Sequence, residues 1–156
     1  MQDLEAAVEG SPMDHPGLAK WLNNLGNHLS SRYERTGDLE DLEDAIRHAK
    51  AAVEATPGDH LYLAVRLSNL GNHLSRRYER IGDLQDLEAA IRNSRAAVEA
   101  ILGGHPNLAG WRNNLRNYLC IRYQRTGDLL DLEEVIKHTV AAVEATPADC
   151  PDQAGL

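Results

Sequence analysis

Asn24-Leu25-Gly26-Asn27 returns as Asn69-Leu70-Gly71-Asn72 and a third time as Asn114-Leu115-Arg116-Asn117, each 45 residues after the last. The same step carries His15 to His60 to His105, Tyr33 to Tyr78 to Tyr123, and Gly37-Asp38 to Gly82-Asp83 to Gly127-Asp128. It also carries Ala51-Ala52-Val53-Glu54 to Ala96-Ala97-Val98-Glu99 and to Ala141-Ala142-Val143-Glu144. A fixed period of this length marks an array in which each unit is one supersecondary element stacked on its neighbours. The register divides the chain into repeats at 15–59, 60–104 and 105–149. Ala6-Ala7-Val8-Glu9 makes residues 1–14 the end of a preceding repeat, and Cys150-Pro151 makes 150–156 the frayed opening of a following one. On this reading the chain is a piece of a longer array.

Within one unit the apolar residues Leu18, Leu22, Leu25, Leu29 and Tyr33 recur at steps of three and four, which is one face of an α-helix, helix A. After Thr36-Gly37, Asp38 is an N-cap candidate with Asp41 three residues on. Leu39, Leu42, Ala45, Ile46, Ala49 and Val53 then continue the helical period as helix B. Thr56-Pro57-Gly58 breaks the chain, and Pro16 sits where a first helical turn tolerates it. The predicted fold is all-α, an α-solenoid of antiparallel helix hairpins that close their core by stacking.

Composition agrees with this reading. The chain is 42% hydrophobic but has no Phe, so its core is built from Leu, Ala, Val and Ile, a palette that favours helices. A net charge of −8 argues against a general nucleic-acid binder, which needs a basic surface to displace counterions from phosphates. The two cysteines, Cys120 and Cys150, are too few for a disulfide framework and are expected to be reduced thiols. No stretch approaches the roughly 20 apolar residues of a membrane span, and Met1-Gln2-Asp3-Leu4-Glu5 lacks the basic start and apolar run of a signal peptide. A cytoplasmic protein without membrane association is the expectation.

Leu25-Gly26, Gly37-Asp38, Ala45, Ala52 and Pro57, echoed by Leu70-Gly71, Gly82-Asp83, Ala90 and Ala97, resemble the tetratricopeptide repeat. The family's usual period is about 34 residues, so each helix here is about one turn longer. In that respect the units are similar to the long repeats of kinesin light chains and to arrays in large fungal and bacterial multidomain proteins, which are often fused to caspase-like protease or nucleotide-binding switch domains. Two departures stand out. Arg116 replaces the Gly of positions 26 and 71, and Ile101-Leu102 replaces Thr-Pro at the end of helix B. Looser or shifted stacking of the second and third repeats is expected there.

The resemblance implies that helix A lines a concave groove and helix B an outer wall. Charge is segregated between them. Segments 15–36, 60–81 and 105–126 carry +2 (Lys20, Arg32 and Arg35 against Glu34), +3 (Arg66, Arg76, Arg77 and Arg80 against Glu79) and +4 (Arg112, Arg116, Arg122 and Arg125). The helix-B segments 38–59, 83–104 and 128–149 carry −5, −2 and −5. A basic groove favours an acidic peptide or protein segment. The candidate peptide-binding set is Asn23, Asn27, Asn69, Asn72, Arg76, Asn113, Arg116 and Asn117. A side-chain amide both donates and accepts, and so can hold a peptide backbone of any sequence. The resemblance places Asn27, Asn72 and Asn117 where related repeats grip a ligand main chain.

Each candidate has a structural alternative. The asparagines can serve interhelical hydrogen bonds that set repeat stacking. Arg32, Arg35, Arg77, Arg80, Arg122 and Arg125 recur in every repeat and can offset helix C-terminal dipoles or pair with the acidic run opening helix B. His15, His60 and His105 are expected to be caps or loop contacts, one repeat apart and too distant to share a metal, and His28 and His73 are placed with them. Trp21 and Trp111 are expected to pack. No Gly-rich phosphate loop, acid–base carboxylate pair or nucleophile arrangement is visible, so the chain is not expected to be an enzyme, and no cofactor or metal is expected. A protein- or peptide-binding scaffold is the leading functional expectation. The alternatives are a self-assembly module stacking end to end, or a regulatory spacer of a larger protein.

Overall fold

In a computed structural model, residues 17–101 and 104–144 are described, together with Ala6 and His15. The proposed end segments 1–14 and 150–156 lie outside the described residues, apart from Ala6. Among the described residues six α-helices follow one another from Leu18 onwards: α1 (Leu18–Thr36), α2 (Leu39–Glu54), α3 (Leu63–Ile81), α4 (Leu84–Glu99), α5 (Leu108–Thr126) and α6 (Leu129–Glu144). Among the described residues there is no strand. The odd-numbered helices are the A helices and the even-numbered ones the B helices. Consecutive helices pack against each other, and successive A helices also touch.

Local chemistry sets each hairpin turn. Helix A ends on Gly37, Gly82 or Gly127, whose φ values of 72°, 76° and 71° lie in the left-handed region that a side chain resists. Each glycine N–H closes the helix on Tyr33, Tyr78 or Tyr123 carbonyl oxygen at 2.7 Å. The next residue is an aspartate N-cap. Asp38, Asp83 and Asp128 accept from the amides of Glu40, Gln85 and Leu130 at 3.1, 3.0 and 3.0 Å.

The third residue after each cap does not reach back to it. Asp41, Asp86 and Asp131 are buried and form two-pronged ion pairs with Arg32, Arg77 and Arg122 on the preceding helix. These three arginines are therefore stitched into the hairpins, and the Arg32 guanidinium holds the Asp41 carboxyl below its ordinary pKa. The bidentate geometry ties helix A to helix B at the same point of every unit.

Each inner A helix is sandwiched between two B helices. Leu70, Leu74 and Tyr78 of α3 share one core cluster with Leu42, Ile46 and Ala49 of α2 and with Leu87, Ala90 and Ile91 of α4. Leu115, Tyr118 and Leu119 of α5 extend the cluster. The loop histidines act locally, as expected. His15, His60 and His105 accept through Nδ1 from the amides of Gly17, Tyr62 and Asn107 at 3.0, 3.1 and 3.1 Å. His15 and His105 also stack on Trp21 and Trp111.

Two expectations change. Gly26 and Gly71 face their own helix B, since a Cβ at these positions would lie 3.1 Å from the Ala45 carbonyl oxygen and 2.8 Å from Ser94 Oγ, respectively. Arg116 therefore loosens the α5–α6 hairpin itself. Contact within that hairpin is much thinner than within the first two, whereas α4 meets α5 as closely as α2 meets α3. Ile101 packs beside Trp111 in a cluster with Ala97, and Leu102 lies outside the described residues. The second change is His73, which is no loop contact. It lies within α3, is 3% exposed, and neither ring nitrogen has a hydrogen-bond partner among the described residues.

The glycine contact is testable. Gly71→Ala is expected to destabilise by about 1 kcal/mol, because the clash with Ser94 outweighs the gain in helix propensity. Adding Ser94→Ala, which restores the small residue found at Ala49 in the first repeat, is expected to recover the loss. Thermal melts of the two single variants and the double variant measure the coupling.

Candidate functional site

The candidate residues lie on the A helices, but half of them are already engaged between repeats. Asn69 donates through Nδ2 to Asn23 Oδ1 at 3.0 Å, tying α3 to α1. Asn72 Oδ1 accepts twice, from Asn114 Nδ2 at 3.1 Å and from Tyr118 Oη at 2.8 Å, tying α3 to α5. Arg76 donates through Nη1 to Ser30 Oγ at 2.7 Å and pairs through Nη2 with Glu34, again bridging α3 to α1. Asn23, Asn69, Asn72 and Arg76 thus form a polar ladder along successive A helices. Bonds of this kind hold repeats in register because each buried polar group needs its partner.

The remaining candidates are less engaged. Asn113 and Asn117 are exposed on α5, and Arg116 donates to Asn113 Oδ1 at 2.5 Å within the same helix. Asn27 is half-buried on α1. The ladder also includes Asn114 and Tyr118, which sequence reasoning did not single out. The signal was present: Tyr118 falls at the position of His28 and His73, so a hydroxyl donor appears in the third repeat alone. A second unforeseen tie joins the B helices. Arg95 of α4 grips Glu134 of α6 in a two-pronged pair at 3.0 and 2.7 Å and holds its carboxyl below the ordinary range.

Between successive A helices the surface dips into two equivalent notches. The first, of about 420 Å³, is lined by Lys20, Asn23 and Asn24 of α1 and by His60, Tyr62, Val65 and Arg66. The second, of about 370 Å³, is lined by Ser68, Asn69 and Asn72 of α3 and by Asn107, Gly110, Trp111, Asn113 and Asn114. Residues 23, 24, 62, 65 and 66 of the first become 68, 69, 107, 110 and 111 of the second, so the two are one feature repeated at the 45-residue step. Both are rich in amides. Asn72 keeps its amide nitrogen without a partner among the described residues, so it can donate to a ligand carbonyl while its oxygen serves the ladder.

Among the described residues no group of His, Cys, Asp and Glu is arranged to hold a metal ion, and no helix is long and apolar enough to cross a membrane. Cys120 is a half-buried free thiol.

No curated protein matches the chain. Residues 18–60 match the family model described as the tetratricopeptide repeat. That match covers the α1–α2 hairpin and the loop after it, and the α3–α4 and α5–α6 hairpins follow at the same 45-residue step. The described chain is therefore an all-α array of hairpins similar to the tetratricopeptide repeat, a family of non-catalytic scaffolds for protein–protein interaction.

Proposed function

We propose that the chain is a protein-interaction scaffold whose A-helix face takes an extended acidic peptide segment. The observation that carries this reading is the repeated amide-lined notch, present between α1 and α3 and again between α3 and α5. Amides spaced one repeat apart suit a peptide backbone, and the basic balance of the A-helix segments suits acidic side chains. Arg116 and Asn117 are the best-placed probes, because neither belongs to the inter-repeat ladder and Arg116 donates to Asn113, which lines the second notch.

Binding of fluorescent peptides graded in acidity, read by anisotropy at low and high salt, tests the proposal. Acidic peptides are expected to bind in a salt-sensitive manner, and the double change Arg116→Ala and Asn117→Ala is expected to weaken them about tenfold with no loss of melting temperature. Asn72→Ala is expected to weaken binding and also to cost about 1–2 kcal/mol of stability, since Tyr118 and Asn114 lose their acceptor. Equal binding of acidic and neutral peptides, or full binding by the double variant, would overturn the reading.

One observation favours a second reading, end-to-end association. Leu132 and Ile136 of α6 are exposed, whereas their equivalents Leu42 and Ile46, and Leu87 and Ile91, are buried under the following A helix. With Leu129, Val140 and Val143 they form an apolar face suited to the A helix of another copy. Sedimentation over a range of protein concentrations separates an associating chain from a monomer.

A further inference from the structure

Position 66 departs from its equivalents in the other two repeats. Trp21 and Trp111 hold the equivalent sites, with ring centroids 4.7 and 4.8 Å from the loop histidines His15 and His105. In the second repeat the residue is Arg66, and His60 turns instead to Tyr62, at 5.7 Å. The Arg66 side chain is nevertheless buried, with the residue 8% exposed. Its Nη1 donates to Thr56 Oγ1 at 2.5 Å, and that hydroxyl in turn donates to the Ala52 carbonyl.

The neighbour changes with it. In the third repeat, where tryptophan returns at 111, Ile101 stands at the position of Thr56 and packs by the indole. A buried hydroxyl thus accompanies Arg66, where an aliphatic side chain accompanies Trp111.

One hydroxyl does not satisfy a guanidinium. Arg66 has five N–H donors and a full charge, and no carboxylate among the described residues pairs with it. Arg32, Arg77, Arg95 and Arg122 each have an acidic partner, which makes Arg66 the exception among the buried or bridging arginines. A buried cation without a counter-ion is costly, and burial pulls the Arg66 guanidinium below its ordinary pKa range. The residue lines the 420 Å³ notch, with Lys20 on α1 across from it. Asn23, whose oxygen already accepts from Asn69, keeps its amide nitrogen for the notch, and Asn24 adds a second amide. The first turn of α3 beside the notch carries no acidic residue.

We propose that this notch binds a phosphate group, with Arg66 and Lys20 supplying two positive charges and the Asn23 and Asn24 amides further donors. A phosphate monoester is close to a dianion at neutral pH, so it uses both cations. A carboxylate carries a single negative charge and offsets only one of the two cations. The second notch supplies an internal comparison, because Trp111 occupies the place of Arg66 there and Ser68 that of Asn23. The inference concerns the same first notch as the acidic-peptide reading, and acetate separates the two: an acetate response equal to that of phosphate leaves the peptide reading standing and removes this one.

The test is a titration of the isotopically labelled chain with sodium phosphate, with sodium acetate and sodium chloride as comparators at matched ionic strength, followed by NMR. Phosphate is expected to shift the signals of Lys20, Asn23, Asn24 and the Arg66 Nε–H, with much smaller shifts at Asn72, Asn113 and Asn114 of the second notch. The double change Thr56→Ile and Arg66→Trp installs the Ile101–Trp111 pairing of the next junction, so it is expected to fold, and to weaken the phosphate response at least about tenfold. A phosphoserine peptide and glycerol phosphate then distinguish the sources of the group. Tighter binding by the peptide assigns the notch to a phosphorylated protein segment, and equal binding assigns it to small phosphate esters. Phosphate shifts no larger than those of acetate, or undiminished phosphate affinity in the double variant, would overturn the proposal.

Discussion

Leu87→Ala is expected to lower the free energy of unfolding by about 2–5 kcal/mol, and Leu132→Ala by less than about 1 kcal/mol. The two leucines hold the same place in successive units, 45 residues apart. Leu87 is 0% exposed, packed in a cluster with residues of α2, α3 and α5, while Leu132 is 37% exposed on α6. Truncating the first removes buried methyl groups and leaves a cavity that close-packed neighbours cannot fill, whereas the second is already half in water. Urea unfolding followed by circular dichroism measures both, with an unchanged slope confirming that only stability has moved. The comparison also bears on association. Equal losses from the two changes at high protein concentration would mean that a second copy covers α6 in solution.

Acidification is expected to weaken the fold through His73 by about 3 kcal/mol between neutral pH and pH 4. Burial is the main cause that pulls the His73 imidazole down to about 4, with the nearby Arg76 charge adding to it. The sign follows from linkage. The unfolded chain takes up this proton near pH 6.5 and the folded chain only near 4, so stability is unaffected above 6.5, falls with pH across that window, and falls no further through this group below it. His73→Leu removes the titration and two buried, unpartnered ring nitrogens. The variant is expected to be at least as stable as the parent at pH 7, with an advantage that widens towards pH 4. Parallel pH profiles for variant and parent would show that the ring is hydrated in solution.

The polar ladder places a constraint on binding. Asn72 serves two inter-repeat bonds and Arg76 another, so a ligand that recruits them must use the donors that remain, as the free Asn72 amide nitrogen allows. A ligand making such contacts bridges neighbouring repeats, and in an array whose stability is carried by nearest-neighbour interfaces, binding is expected to stiffen the junction it spans.

Much was legible in the chain itself because it is local. The helix pairs follow from the three- and four-residue spacing of Leu18, Leu22, Leu25 and Leu29 and of their counterparts in the later repeats. The turns follow from Gly37-Asp38, Gly82-Asp83 and Gly127-Asp128, where a left-handed glycine and an aspartate cap complete one helix and begin the next. Repetition at 45 residues was sufficient for the stacked hairpin architecture, since one such hairpin cannot cover its own apolar face. The roles of polar groups were not legible in the same way. An amide such as Asn72 is equally suited to a ligand and to a neighbouring helix, and only the placement of Tyr118 and Asn114 beside it decides for the neighbour. Likewise His73 and His28 are the same residue one repeat apart, yet one is buried and the other exposed. Arg116 disturbs its own hairpin because the equivalent glycines face helix B, and Arg66 lies buried in a notch because α1 and α3 close around it. Backbone conformation depends on neighbours in the chain, which a sequence displays; burial and partnership depend on residues brought together from different repeats, which only the tertiary structure supplies.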